Sequence, residues 1–294
     1  MTFNREKYKS KNMNSLREIS FRKFMNNKLA VMGLIIIIIM TVLSICAPLL
    51  TNYEVSETDL YNTRSAPDKE HLLGTDDVGR DVFARLLYGG RISILVGILA
   101  MAVQLLIGVT VGSIAGYYGG IVDTIIMRII DTIMCFPFFV IAIALAAVLG
   151  GSVKNLILII GLLSWPSIAR IVRAEILSLK ENDYIMAAKA LGLSPKEIII
   201  GHLLPNVMSP ILVASTLSIA NGILMEASLS FLGLGVKPPQ PSWGNMLVAA
   251  QNMDILQNEW WQWIPAGLMV VLIVLSINFV GDGLRDALDP QIKA

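Results

Sequence analysis

The sequence predicts an all-α polytopic membrane protein with six transmembrane helices. Two observations carry that prediction. Of 294 residues, 55% are hydrophobic and only 15% charged, where a soluble domain carries about 25% charged residues. Several apolar runs also approach the roughly 20 residues that a helix needs to cross a bilayer. Mean hydropathy is accordingly positive, +0.67. A net charge of +1 gives no sign of nucleic acid as a partner. Cys46 and Cys135 both lie in apolar segments and read as small buried hydrophobes rather than a disulfide.

Residues 1–28 form a basic tail. Arg5, Lys7, Lys9, Lys11, Arg17, Arg22, Lys23 and Lys28 stand there against Glu6 and Glu18, so the N-terminus is expected in the cytoplasm. Leu16, Ile19, Phe21, Phe24 and Met25 among those charges predict an interfacial helix. The first span is residues 29–50. Its end, Leu43-Ser44-Ile45-Cys46, is similar to a lipoprotein signal, but Ile45 is bulky where cleavage wants a small residue, so the span reads as uncleaved. An extracytoplasmic loop, 51–91, follows. A five-helix core, 92–281, holds the remaining spans at 92–117, 122–149, 155–172, 207–234 and 261–280. Residues 282–294 are a second cytoplasmic tail. No internal repeat is visible, which argues against an inverted-repeat secondary transporter.

Between the fourth and fifth spans, residues 173–206 fall inside. Asp183 can cap a helix, Ile185 to Leu191 are good helix formers, and Gly192 suits a left-handed C-terminal cap. Ser194-Pro195-Lys196-Glu197 reads as a capping box with proline at the first helical position. A second helix is expected to stop near Pro205. Ala187 and Ala188 leave one face of the first helix nearly bare. Two readings stand on these signals, a docking site for another protein and an amphipathic hairpin on the membrane surface.

Other constellations are fewer. Gly108, Gly112 and Gly116 recur every four residues and predict close helix packing. Arg128 and Asp131, three apart in the third span beside Asp123, predict an ion pair at a cytoplasmic gate. Glu226 is expected near mid-span, either lining a pathway or hydrogen-bonded to a neighbouring helix. Outside, Trp260, Trp261 and Trp263 read as an interfacial belt after the rigid stretch Val236-Lys-Pro-Pro-Gln-Pro-Ser-Trp-Gly244. The sequence has no GxxxxGK[ST] phosphate loop, HExxH, CxxC or GxSxG. His71 and His202 are expected on opposite membrane faces, so no metal site is predicted. An enzyme is therefore not expected, and any nucleotide must be hydrolysed by another chain.

Ala187-Ala188, Gly192 and Leu204-Pro205 resemble the coupling-loop signature of bacterial ATP-binding-cassette importer permeases, with Met186 where that signature has glutamate. The strings His71-Leu-Leu-Gly-Thr-Asp-Asp-Val-Gly-Arg-Asp81, Tyr88-Gly-Gly-Arg-Ile-Ser93, Pro238-Pro-Gln-Pro-Ser-Trp-Gly244 and Gly281-Asp-Gly-Leu-Arg-Asp-Ala-Leu-Asp-Pro290 resemble the dipeptide/oligopeptide permease family, C-type subunit. That resemblance implies a type I ABC importer permease fold in the bacterial plasma membrane, both termini cytoplasmic. It implies a homologous B-type permease, two cytoplasmic ATPase subunits and an extracytoplasmic substrate-binding protein as partners. ATP and Mg would be bound by the ATPases, with no cofactor in this chain, and Ala187, Ala188, Gly192, Leu204 and Pro205 would couple to them. Nickel or metal-chelate importers share this architecture and are the alternative within the class. A stand-alone ion-coupled secondary transporter is the alternative outside it.

Overall fold

Local capping and cross-helix pairing set where each helix begins and ends. The computed structural model describes residues 16–288, and among these no β-strand occurs. Helix α1 (Leu16–Asn26) breaks at Asn27, whose side-chain oxygen accepts from the Ala30 N–H and caps α2 (Lys28–Ile45). Phe21 and Met25 of α1 are exposed, whereas Phe24 turns toward Gly283 in the last helix. The side chains of Leu16 and Ile19 lie outside the described residues.

Helix α3 (Val82–Tyr118) starts ten residues before the expected boundary at 92, so the preceding loop is 51–81. Asp81 caps it, accepting from Ala84 N–H at 2.6 Å. Tyr88-Gly-Gly-Arg looks like loop sequence, yet Arg91 donates to the carbonyls of Ser44 and Ile45 at 2.6 and 2.7 Å. Its charge thus satisfies carbonyls at the C-terminal end of α2.

The expected third span, 122–149, is broken. Helices α4 (Gly120–Cys135) and α5 (Phe138–Leu149) meet at 82°. Pro137 has no N–H and excludes Phe136 from helical geometry, and Phe136 is extended. Helix α6 (Val153–Leu179) is longer than the expected 155–172. Its last three turns are held by Arg170 and Arg173, which pair with Asp131 and Asp123 of α4.

A short helix, α7 (Asp183–Ala190), leads to α8, a continuous 37-residue run, Pro195–Phe231. The helix therefore does not stop at Pro205. Residues Ile198–Leu203 are π-helical, and Leu204 N–H reaches back five residues to Ile199 O. This wider turn accommodates Pro205, which cannot donate and whose ring would crowd an α-helical turn. Helix α9 (Ile264–Leu288) runs past the expected end at 280. Among the described residues five helices are long and apolar enough to span a membrane, and the bent α4–α5 pair, taken as one span, makes a sixth.

The most extensive contact joins α3 and α6. A β-carbon at Gly112 would lie 2.5 Å from Ala169 O, and one at Gly108 2.7 Å from Ile168 Cβ. Gly116 meets Ile176 in the same way. In lipid, helices associate through close packing rather than a hydrophobic drive. Buried Met40, Leu86, Ile223, Trp243 and Ile273 join α2, α3, α8 and α9 into a second core.

Gly112→Leu should force α3 from α6 and cost about 3 kcal/mol. Thermal unfolding of the detergent-solubilised protein reads this as a lowered Tm. Gly201→Ala, with open space around the site, should stay within about 1 kcal/mol of wild type.

Candidate functional site

At the end of the molecule where α6 passes to α8, residues 180–204 fold into a compact hairpin. Asn182 rather than Asp183 takes the N-cap position of α7, without a side-chain hydrogen bond, and Asp183 opens the helix. Gly192 ends the turn at φ +80°, a conformation that favours glycine. Leu193 N–H then bonds Ala188 O at 3.2 Å. The Ser194–Glu197 capping box forms in both directions.

The two alanines do not share a face. Ala188 is buried with Ile185, Ile198, Leu203 and Val207 in the hairpin's own core, which α6 completes with Val172 and Ile176. Ala187 is exposed beside Tyr184, Met186 and the strongly exposed Leu191. The bare surface expected of both alanines therefore belongs to Ala187, and Ala188 is a packing residue. Leu204 is half-buried and Pro205 exposed in the third turn of α8. Lys189 lies over the Tyr117 ring, 5.7 Å from its centroid, tying the hairpin to α3.

The expected Arg128–Asp131 pair does not form. Asp131 accepts from Arg170 Nη2 at 2.5 Å, and Arg173 makes a two-pronged pair with Asp123. Arg128 is exposed and has no ion pair among the described residues. The acids of α4 thus hold α6 across the chain instead of pairing along their own helix.

Glu226 lies not at mid-span but five residues before the end of α8. It is fully buried. Ser93 donates to Oε2 at 2.8 Å, while Ser230 and Ser242 donate to Oε1 at 2.7 and 2.8 Å. Trp243 N–H donates in turn to Ser93 Oγ at 3.1 Å. One carboxylate therefore fastens α3, α8 and the 232–242 loop, and its oxygens are enclosed by protein donors. The hydrogen-bonding alternative fits this geometry; a pathway-lining carboxylate does not. The secondary-transporter reading loses its one candidate midplane carboxylate.

At the same end, residues 51–81 form an ordered loop. His71 Nδ1 lies 2.9 Å from Asp81 Oδ2, and Asp76 Oδ2 lies 2.7 Å from Arg80 Nε and 3.5 Å from Arg85 Nε. The Tyr61 N–H and the Asn62 amide hold the Asp59 carboxyl below its usual range. Trp261 is buried and donates to Thr75 O at 3.3 Å, so it clamps the loop instead of joining a belt. Beside it lies an open cavity of about 600 Å³ flanked by Arg64, Asp76, Arg80, Arg85, Lys237 and Gln251.

A second, smaller, open cavity lies between helices, lined in part by Gln104, Ser164, Ser167, Ser218 and Asn221. These residues carry no charge to mark them in the sequence. The available signal was uncharged polar residues recurring within apolar spans. No cluster of three metal-ligating side chains occurs among the described residues.

The fold and its exposed hairpin define a multi-pass membrane permease of the ABC-importer class. Residues 108–294 match the model for the binding-protein-dependent transport system inner membrane component, and the chain belongs to that family. Residues 15–67 match the N-terminal transmembrane domain of oligopeptide transport permease C. The chain is 44% identical to the dipeptide transport system permease protein DppC of Alkalihalophilus pseudofirmus, over 94% of this chain and 90% of that one. It is 42% identical to the oligopeptide transport system permease protein OppC of Bacillus subtilis, over 97% and 92%. The inward-facing MetNI methionine ABC transporter shares the fold, with a TM-score of 0.57 at 20% identity over 70% of this chain and 97% of that one. In this family ATPase activity resides in separate subunits.

Glu226→Ala would leave three serine hydroxyls without their acceptor and should cost about 3 kcal/mol. Glu226→Gln, which keeps one accepting oxygen, should cost about 1 kcal/mol. The lower Tm of the alanine variant should be accompanied by faster proteolysis within residues 232–242.

Proposed function

We propose that this chain is the permease subunit of an ATP-driven, binding-protein-dependent importer of di- or oligopeptides. It forms half of the translocation path and pairs with a homologous permease. The hairpin and both termini face the cytoplasm, and the 51–81 loop faces outward. Two ATPase subunits bind ATP and Mg, one of them receiving this hairpin, and an extracytoplasmic binding protein delivers substrate to the loop face.

The observation that carries this reading is the exposed end of α7. Tyr184, Met186 and Leu191 are large apolar side chains held outward by a hairpin whose inner face is already packed. A surface kept this rigid and this apolar suits insertion into a protein groove, where aromatic and aliphatic anchors contribute most of the binding energy. Met186 gives an apolar contact where the family's coupling signature has glutamate. The basic tail supports the orientation. The dipeptide and oligopeptide permeases at 42–44% identity support peptide as cargo.

The test is Ala187→Trp, which enlarges the docking face without entering the hairpin core. Reconstituted with its partners, the variant should assemble normally. ATP-driven peptide uptake should fall about tenfold or more, equivalent to ~1.4 kcal/mol of lost coupling, and hydrolysis should lose its stimulation by the loaded binding protein. Wild-type uptake by the variant would refute docking through this face.

A further inference from the structure

The smaller cavity, about 280 Å³ and open on one side, lies where α3, α5, α6 and α8 meet. Asn221 is exposed, ten residues before the end of α8 at Phe231. At 1.5 Å per residue it sits ~15 Å from the C-terminal end of α8, well inside that apolar span. Its amide makes no hydrogen bond among the described residues. Gln104 spends one N–H on Ser164 O at 2.9 Å, which leaves its own carbonyl oxygen unpartnered. Ser164 and Ser167 flank Pro166, which has no N–H to return to the preceding turn. An exposed, unsatisfied amide at this depth is costly against lipid and is tolerated where it faces water or a polar ligand.

The chemistry of the lining restricts the ligand. No lining residue is ionisable. A charged terminus or side chain would find no counter-ion. The Ser167 and Ser218 hydroxyls donate to Ser164 O and Ala214 O, so they offer acceptor oxygens, while the Asn221 amide, the second Gln104 N–H and the Ser164 hydroxyl can donate as well. Phe138, Met225 and Leu163 complete the wall with apolar, partly adaptable surface. The volume is below that of a typical closed ligand pocket, which fits one wall of a passage completed by a second subunit. We infer that Asn221, Gln104, Ser164, Ser167 and Ser218 form an uncharged mid-membrane subsite that hydrogen-bonds the backbone amides of a passing peptide. It therefore accepts peptides without reading their side chains. The inference rests on the peptide-importer reading for its ligand, but the aqueous nature of the crevice stands apart from it.

Two arms separate those parts. In a Cys46→Ala, Cys135→Ala background, Asn221→Cys should react with a membrane-impermeant thiosulfonate at least about tenfold faster than Leu106→Cys. Leu106 is 73% exposed and lies two residues from Gln104, on nearly the opposite face of α3. Equal labelling would overturn the aqueous crevice. In the second arm the complete importer in proteoliposomes takes up trialanine or trialanine N-methylated at its central amide. Binding-protein selectivity is common to all variants, so only a change in the uptake ratio reports on the crevice. The preference for the unmodified peptide should narrow about fivefold in Asn221→Leu, as expected for one lost hydrogen bond, and also shift in the milder Ser218→Ala. An unchanged ratio in both variants would overturn backbone recognition. Absence of ATP-driven uptake by wild type would overturn the importer reading and the peptide ligand with it, while the labelling arm would still decide the crevice.

Discussion

The near-contact of backbones along α3 and α6 is the constraint on which the rest of this structure depends. Gly108, Gly112 and Gly116 face Ile168, Ala169, Val172 and Ile176 with no room for a β-carbon. Where lipid replaces water, apolar side chains gain little by leaving the solvent, so association must come from dispersion at short range and from satisfied polar groups. The glycine face supplies the first. Arg170 and Arg173 on α6, paired with Asp131 and Asp123 on α4, supply the second near the hairpin end.

Both proposed functional surfaces lean on that spine. Toward the hairpin, α6 stays helical through Leu179 and positions α7 against its own last turns through Ile176. A force applied to Tyr184, Met186 or Leu191 therefore acts on a rigid lever continuous with the α3–α6 pair. Farther along the same helix, Ser164 and Ser167, on either side of Pro166, line the smaller cavity with Gln104. Helix α6 thus contributes Ser164 and Ser167 to the proposed substrate wall and packs through Val172 and Ile176 against the hairpin that carries the proposed coupling surface.

At the opposite end the carboxylate of Glu226 performs a structural task that hydropathy alone does not suggest. Its three serine donors come from α3, from α8 and from the 232–242 loop. A buried acceptor with all its donors in place specifies one arrangement of these segments, because any other leaves polar groups unpaired in a low-dielectric interior. Trp243 and Trp261 close the same region by donating to backbone carbonyls of Leu86 and Thr75.

Composition and apolar run length by themselves determined the membrane class and the approximate order of spans. Short-range chemistry determined the hairpin turn, since Gly192, Ser194 and Glu197 act on neighbours within a few residues. The tertiary structure decided the rest through partners far apart in sequence. Arg170 meets Asp131 across 39 residues and Trp243 meets Ser93 across 150. Such pairings moved helix ends, withdrew Glu226 from any pathway and turned Ala188 inward while Ala187 stayed bare. They also gathered Asn221 and Gln104 into one crevice. Periodicity and propensity describe each helix alone, whereas which polar groups a buried chain must satisfy depends on the helices that come to lie beside it.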